Sequence, residues 1–261
     1  MRNIYAIYRK EMGHYFVSPI AYVVVGVFLV LAAYFFNYIL ASVIQNALQA
    51  EMQSMRYGVP QDVDVTGIVL RSFFQLVSTL VLFLTPILTM GVYAEERKRG
   101  TMELLMTSPV NDTEIVLGKF FASLTLFVLM LLPTASYLIF IYFRSDPSPP
   151  WALLLTAYLG VLLLGGALLS VGTFISSLTE NQIIAAVLSF AAILILWVID
   201  VGRNAAGSLG DILTYLSVLR HYDDFTRGVI DTSSLIYYAS FIALFVFLTV
   251  RSLESVRWRH A

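Results

Sequence analysis

The chain of 261 residues contains no cysteine. That absence excludes disulfides, thiol nucleophiles, zinc–thiolate sites and iron–sulfur clusters. Histidine is nearly as scarce. His14, His221 and His260 lie far apart in the sequence, a poor basis for a histidine metal site. Charge is also sparse. Asp, Glu, Lys and Arg make up 13% of the residues, about half of the roughly 25% found in soluble domains. Sixteen Lys plus Arg against seventeen Asp plus Glu leave a net charge of −1, so no global basic field draws in nucleic acid.

Several catalytic patterns are missing too. A phosphate-cradling P-loop needs G-x-x-x-x-G-K-[ST], but Gly118-Lys119 is followed by Phe120 and has no upstream Gly in register. The chain is therefore expected to bind no ATP by that route. Glu95-Glu96 would need an Arg at position 100 to match prenyl-protein-type intramembrane proteases, and that position is Gly100. Gly207-Ser208 has no histidine within an apolar run to activate the serine. No enzyme activity is expected of the chain itself.

What is present is apolar length. Six stretches carry no Asp, Glu, Lys or Arg: Tyr15–Ala50, Ser72–Ala94, Phe120–Phe143, Pro147–Thr179, Asn181–Ile199 and Thr232–Val250. They are 19 to 36 residues long. A helix rising about 1.5 Å per residue crosses a hydrocarbon core of about 30 Å in about 20 residues. Six such runs leave too little polar surface to dissolve a buried core. They are also continuously apolar, where barrel strands would alternate. The fold class expected is an all-α integral membrane protein with six transmembrane helices, near 20–43, 73–93, 117–142, 153–175, 183–199 and 233–250. The first run exceeds a signal-peptide h-region and shows no clear small-residue cleavage pattern, so it is expected to stay in the mature protein. One membrane domain covers 1–261.

Six crossings put both ends on one side. Ten Lys and Arg fall on that side and six on the other, with Arg97, Lys98 and Arg99 concentrated in one short loop. The positive-inside rule places both termini in the cytoplasm. Tyr237, Tyr238, Trp151, Trp197 and Trp258 fall near span ends, where interfacial aromatics belong. Helix starts are marked by Ser18-Pro19 and by two capping boxes, Asn111 with Glu114 and Thr179 with Gln182.

Inside the spans no ionisable residue is central. Functional proton or ion pathways commonly keep one, so an ion-coupled pump is disfavoured. Lys119 and Asp200 sit at span ends and are expected to reach the interface. Pro86 and Pro133 each remove a helix hydrogen bond; they are candidate hinges or static kinks. Gly160, Gly165, Gly166, Ser170 and Gly172 permit close helix approach, within one subunit or between two.

Outside the spans, 2–15 reads as a short amphipathic helix, with Ile4, Ile7 and Tyr8 on one face, or as a frayed terminus. Residues 45–71 read as an external loop. The segment 94–110 places Met102, Leu105 and Met106 at i, i+3, i+4 between Gly100 and Pro109. That apolar face is met either by the membrane interface or by a groove on a partner. Residues 200–231 read as a re-entrant or interfacial helical pair or as an ordinary surface helix.

Three blocks carry a resemblance. EERKRGTMELLMTSPVNDTEIVLGKF at 95–120, YLSVLRHYDDFTRGVIDTSSLIYYASFIALFVFLTVRSLESVRW at 215–258 and the opening YRKEMGHYFVSPIAYV resemble ABC type-2 exporter permeases. The gliding-motility-associated permease branch is the most similar. Within the first block the pattern E-x-R-x-x-G-T-x-E falls on Glu95, Arg97, Gly100, Thr101 and Glu103. The resemblance implies a connecting helix at 2–15, a coupling helix within 94–110 and paired re-entrant helices within 200–231. It further implies contact between a separate ABC ATPase subunit and Glu95, Arg97, Gly100, Thr101, Met102, Glu103, Leu105 and Met106. ATP and Mg would be held by that partner, with no cofactor on this chain. A second permease chain, identical or different, would complete the transporter in the lipids of a bacterial inner membrane. The other reading is a membrane anchor that recruits a cytoplasmic partner through the same loop without transport.

Overall fold

The computed structural model describes residues 2–57, 64–102, 110–145, 148–202, 215 and 217–259. Among them there is no strand. The elements are α1 (Arg2–Val17), α2 (Pro19–Tyr57), α3 (Val65–Thr89), α4 (Ala94–Lys98), α5 (Asp112–Leu131), a 3-10 turn (Leu132–Thr134), α6 (Ala135–Arg144), α7 (Trp151–Leu178), α8 (Gln182–Gly202), α9 (Val218–Thr226) and α10 (Thr232–Arg259). Six helical stretches are long and apolar enough to cross a membrane. The fold is therefore an all-α integral membrane protein.

Local chemistry sets the helix starts. Asp64 caps α3 by accepting from the Gly67 amide at 2.8 Å. The Asn111 amide donates to Glu114 at 3.3 Å, one half of the capping box that opens α5. At α8 the expected box is replaced. Asn181 Oδ1 accepts from the Ile183 amide at 2.9 Å, while Thr179 Oγ1 accepts from Asn181 itself at 3.2 Å. The cap thus falls two residues later than the Thr-x-x-Gln spacing suggested, because Asn is as good an N-cap as Thr.

The external loop expected over 45–71 is shorter than read, at both ends. Helix α2 runs on to Tyr57, through Gln45, Asn46 and Gln49. Polar side chains end the apolar character of a helix without breaking it, and no Gly or Pro intervenes before Gly58. At 39 residues it is about 58 Å long, well beyond a hydrocarbon core of about 30 Å. Residues 65–71, read as loop, are the first turns of α3.

Helix α7 is the central post. It packs against α3, α5, α8, α9 and α10, and its glycines mark the closest approaches. A Cβ on Gly165 would fall 2.2 Å from the Phe127 ring of α5, and one on Gly172 would fall 2.1 Å from Thr89 Oγ1 of α3. Gly160 stands against Phe225 of α9 at 2.5 Å. These small residues serve packing inside the subunit.

Helix α9 is far from a surface helix. Tyr222 and Phe225 are buried, and the Tyr222 hydroxyl donates to the Phe74 carbonyl of α3 at 2.7 Å. The Tyr238 hydroxyl donates to the Val218 carbonyl at 2.7 Å. Tyr238 is therefore an internal strut and not an interfacial aromatic. Trp151 is exposed as expected and donates to Tyr142 Oη at 3.0 Å. The stretch 203–214 lies outside the described residues.

Candidate functional site

At the end of the bundle that carries α1 and α4, four charges meet. Helix α3 stops at Thr89, and residues 90–93 turn before α4 begins. Ser176 of α7 secures that turn: its hydroxyl donates to the Met90 carbonyl at 3.0 Å and accepts from the Tyr93 and Ala94 amides at 3.1 and 3.3 Å. The turn leaves the Val92 carbonyl without a helical donor, and Lys119 of α5 supplies one at 2.8 Å.

Lys119 is 1% exposed. Its Nζ also lies 3.0 Å from Glu11 Oε1 of α1 and 3.0 Å from Glu96 Oε2 of α4. The first is an aligned hydrogen bond; the second is an ion-pair contact. Three short contacts match the three donors of an ammonium. Lys10 closes the network, 2.8 Å from Glu96 Oε1 and 3.7 Å from Glu11 Oε1. Partial burial pulls the Lys10 pKa down, but the Glu96 and Glu11 carboxylates outweigh that and hold it above its ordinary value. Two cations and two carboxylates therefore lock α1, α4 and α5 together. Lys119 does not reach out to the interface as its span-end position suggested. A turned carbonyl and two acids satisfy it internally, so it has nothing to gain by extending.

Hydrophobic contacts back the charges. Ile7 of α1, Val92, Tyr93, Met102, Ile115, Val116, Val250 and Leu253 form one buried cluster. Gly118 lets α1 approach α5: a Cβ there would fall 2.8 Å from Ile7 Cγ2. The N-terminal segment is thus a docked helix rather than a frayed end. Tyr15 Oη and Ser123 Oγ lie 2.9 Å apart and add a second α1–α5 tie.

The residues of the E-x-R-x-x-G-T-x-E pattern separate into distinct roles. Glu95 faces α1 and its own helix, with Arg99 Nη2 at 2.5 Å and His14 Nε2 at 3.9 Å. Gly100 takes φ +68, a left-handed conformation that only glycine adopts without strain, and so reverses the chain after α4. Thr101 then donates to the Glu96 carbonyl at 3.3 Å. Met102, expected at the partner contact, is 3% exposed and packs within the cluster around Ile7. Arg97 is half-buried, and its Nε and Nη2 have no hydrogen-bond partner among the described residues. Glu103, Leu105 and Met106 lie outside the described residues.

Of the candidate hinges, Pro133 sits in the 3-10 turn that divides α5 from α6. Pro86 lies inside α3, where Thr85 and Thr89 bond back to the Val81 and Thr85 carbonyls. No group of three or more His, Cys, Asp or Glu among the described residues is arranged to hold a metal.

A family model described as ABC-2 family transporter protein matches residues 5–253. The chain belongs to the ABC-2 transporter family. No curated protein matches it. The match runs from within α1 to near the end of α10 and so includes every group of the charge network. An ABC-2 family membrane protein is the permease component of an ABC transporter. Sequence reasoning found the loop and the N-terminal helix, but it missed that Glu11, Glu96 and Lys119 converge. The one available signal was a lysine beside an apolar run with two acids in the two segments flanking other span ends.

Proposed function

We propose that this ABC-2 permease is driven by a separate ATPase subunit that docks on the 94–110 segment, and that the assembled transporter works as an exporter. The observation that supports this most directly is the Lys119–Glu11–Glu96 network. A load applied to α4 passes without slack to α1 and α5, because each is held to the others by buried charge. ATP binding moves the spans only if the ATPase prefers one arrangement of this end of the bundle over another.

The docking contacts we assign to the partner are Arg97, Glu103, Leu105 and Met106. Arg97 offers two buried guanidinium nitrogens that lack a hydrogen-bond partner among the described residues, a place for a carboxylate from the ATPase. Gly100, Thr101 and Met102 shape and anchor the loop, and Glu95 braces it against α1. A second permease chain, cytoplasmic termini in a bacterial inner membrane, and membership of the gliding-motility-associated branch complete the reading.

The test is co-purification of the ATPase with a Leu105→Asp/Met106→Asp double variant. The expected result is a folded, inserted permease that no longer carries the ATPase. Undiminished co-purification refutes the docking site. ATP turnover by the reconstituted wild-type complex that fails to respond to any transported compound, with docking intact, favours the scaffold reading.

A further inference from the structure

Between Pro19 and Val43, helix α2 rises about 36 Å, enough to cross a hydrocarbon core of about 30 Å. Val43 is also the last residue of α2 in the hydrophobic core. The helix then runs on from Ile44 to Tyr57, about 20 Å further, and none of these residues is buried. A free helix of this length is marginal in water. It is not polar all round either. Ile44, Leu48, Met52 and Met55 are all exposed, and at about 100° per residue they lie within about 80° of one another. The same stripe continues down the spanning part of the helix through Ala41, Tyr38, Tyr34, Val30, Val27 and Val23, each of them exposed. Acyl chains cover the lower part of the stripe. They do not reach the upper part, which needs a protein neighbour.

Spacing and charge select that neighbour. It must run alongside α2 and present apolar side chains from the bilayer to the same height beyond it. A second copy, inserted with the same orientation, does both by two-fold symmetry. Leu48, Met52 and Met55 take successive d, a and d positions of a heptad, the seam of a two-stranded coiled coil. Ile44 flanks that seam at g, and Gln45 takes the preceding a position, where a polar side chain fixes register. Glu51 then falls at g and Arg56 at e. In a parallel pair, g on one helix faces the e position of the other that lies five residues further along. Glu51 and Arg56 have that separation, so two copies bring them together on both sides of the seam. Both side chains are exposed, and neither has an ion-pair partner among the described residues. The complementarity is therefore unspent within one chain.

We infer that residues 44–57 pair with the same segment of a second copy as a parallel coiled coil, beyond the bilayer at the end of the bundle away from α4. Glu51 of each copy meets Arg56 of the other. The inference rests on the second permease chain proposed above and makes that chain a copy of this one. ATPase docking does not enter it.

The chain has no cysteine, so single substitutions report the pairing directly. Membranes containing the full chain are oxidised with copper phenanthroline, and disulfide-linked dimers are followed with time. Leu48→Cys, Met52→Cys and Met55→Cys are expected to cross-link, whereas Asn46→Cys and Gln53→Cys, on the opposite face of the helix, are not. Glu51→Arg added to Met52→Cys is expected to slow cross-linking about threefold, the effect of an exposed ion pair, and Arg56→Glu added to both should restore it. The transporter purified with its ATPase is weighed by native mass spectrometry, with two copies of this chain expected. Two copies without cross-links at Leu48, Met52 and Met55, or with equal cross-linking at Gln53, overturn the pairing and leave the second chain standing. Cross-linking that Glu51→Arg leaves unchanged overturns the parallel register. One copy beside a different permease overturns the pairing alone. One copy with no other permease overturns the second-chain reading as well.

Discussion

Lys119 Nζ and Glu11 Oε1, 108 residues apart in the chain, meet at 3.0 Å with neither side chain open to solvent. Removing one member of a buried pair typically costs about 3–5 kcal/mol, because its partner is left charged and unpaired. Lys119→Met leaves both Glu11 and Glu96 facing an apolar side chain, with only Lys10 to compensate. We expect a loss of thermal stability of that order in detergent, together with faster amide exchange over α1. Lys119→Met combined with Glu11→Leu and Glu96→Gln should recover much of the loss. Protection of α1 that is unchanged in Lys119→Met would show that the pair does not hold α1.

The glycines of α7 give a second, independent test of the packing. Gly165→Ala must displace the Phe127 ring, and overpacking of this kind costs about 1–3 kcal/mol. Gly26 of α2 has nothing within 4 Å of its would-be Cβ, so Gly26→Ala should be neutral or slightly stabilising. The comparison is one of unfolding midpoints. Equal effects of the two substitutions would contradict the role of α7 as the central post.

The architecture was legible from the sequence because bilayer thickness fixes both the length and the apolarity of a crossing, and all six runs declare themselves. Boundaries were not. Gln45 and Asn46 changed composition without breaking the α2 helix, and Asn181 displaced Thr179 as a cap. The site was half legible. Gly100 carried its own signal, because a glycine between a charged helix and a hydrophobic residue marks a reversal. The destination of that reversal was hidden: i, i+3, i+4 spacing cannot tell whether Met102 faces inward or outward. Lys119 was misjudged for a related reason. Its partners come from α1 and α4, 108 and 23 residues away, and no local pattern records contacts made across such separations.

The proposed sidedness, with the 94–110 segment in the cytoplasm, is tested by labelling. The absence of cysteine makes single substitutions unambiguous reporters. Ser108→Cys should react with an impermeant maleimide only after the cells are permeabilised, whereas Ser145→Cys, on the far side of α5 and α6, should react in intact cells. Labelling of Ser108→Cys in intact cells would place the loop outside and remove the basis for ATPase docking.

At the opposite end of the bundle, His221 of α9 stacks on Tyr237 at 4.1 Å between ring centroids. Its Nδ1 lies 3.1 Å from Ser234 Oγ and its Nε2 lies 3.3 Å from the Tyr215 carbonyl. Burial lowers its pKa, and Arg220 adds to this; the Tyr215 carbonyl, Asp224 and Asp231 oppose without prevailing. The folded protein therefore binds this proton less readily than the unfolded chain does. The stabilisation is fully present above the ordinary histidine value of about 6.5 and is lost as pH falls from there through the folded value. The protection of amides over 218–226, taken relative to the intrinsic exchange rate at each pH, should fall on going from pH 7.5 to pH 5, and His221→Gln, which keeps a polar group without the titration, should flatten that dependence. Wild-type protection that is the same at both pH values would show that the α9–α10 contact does not depend on a neutral imidazole.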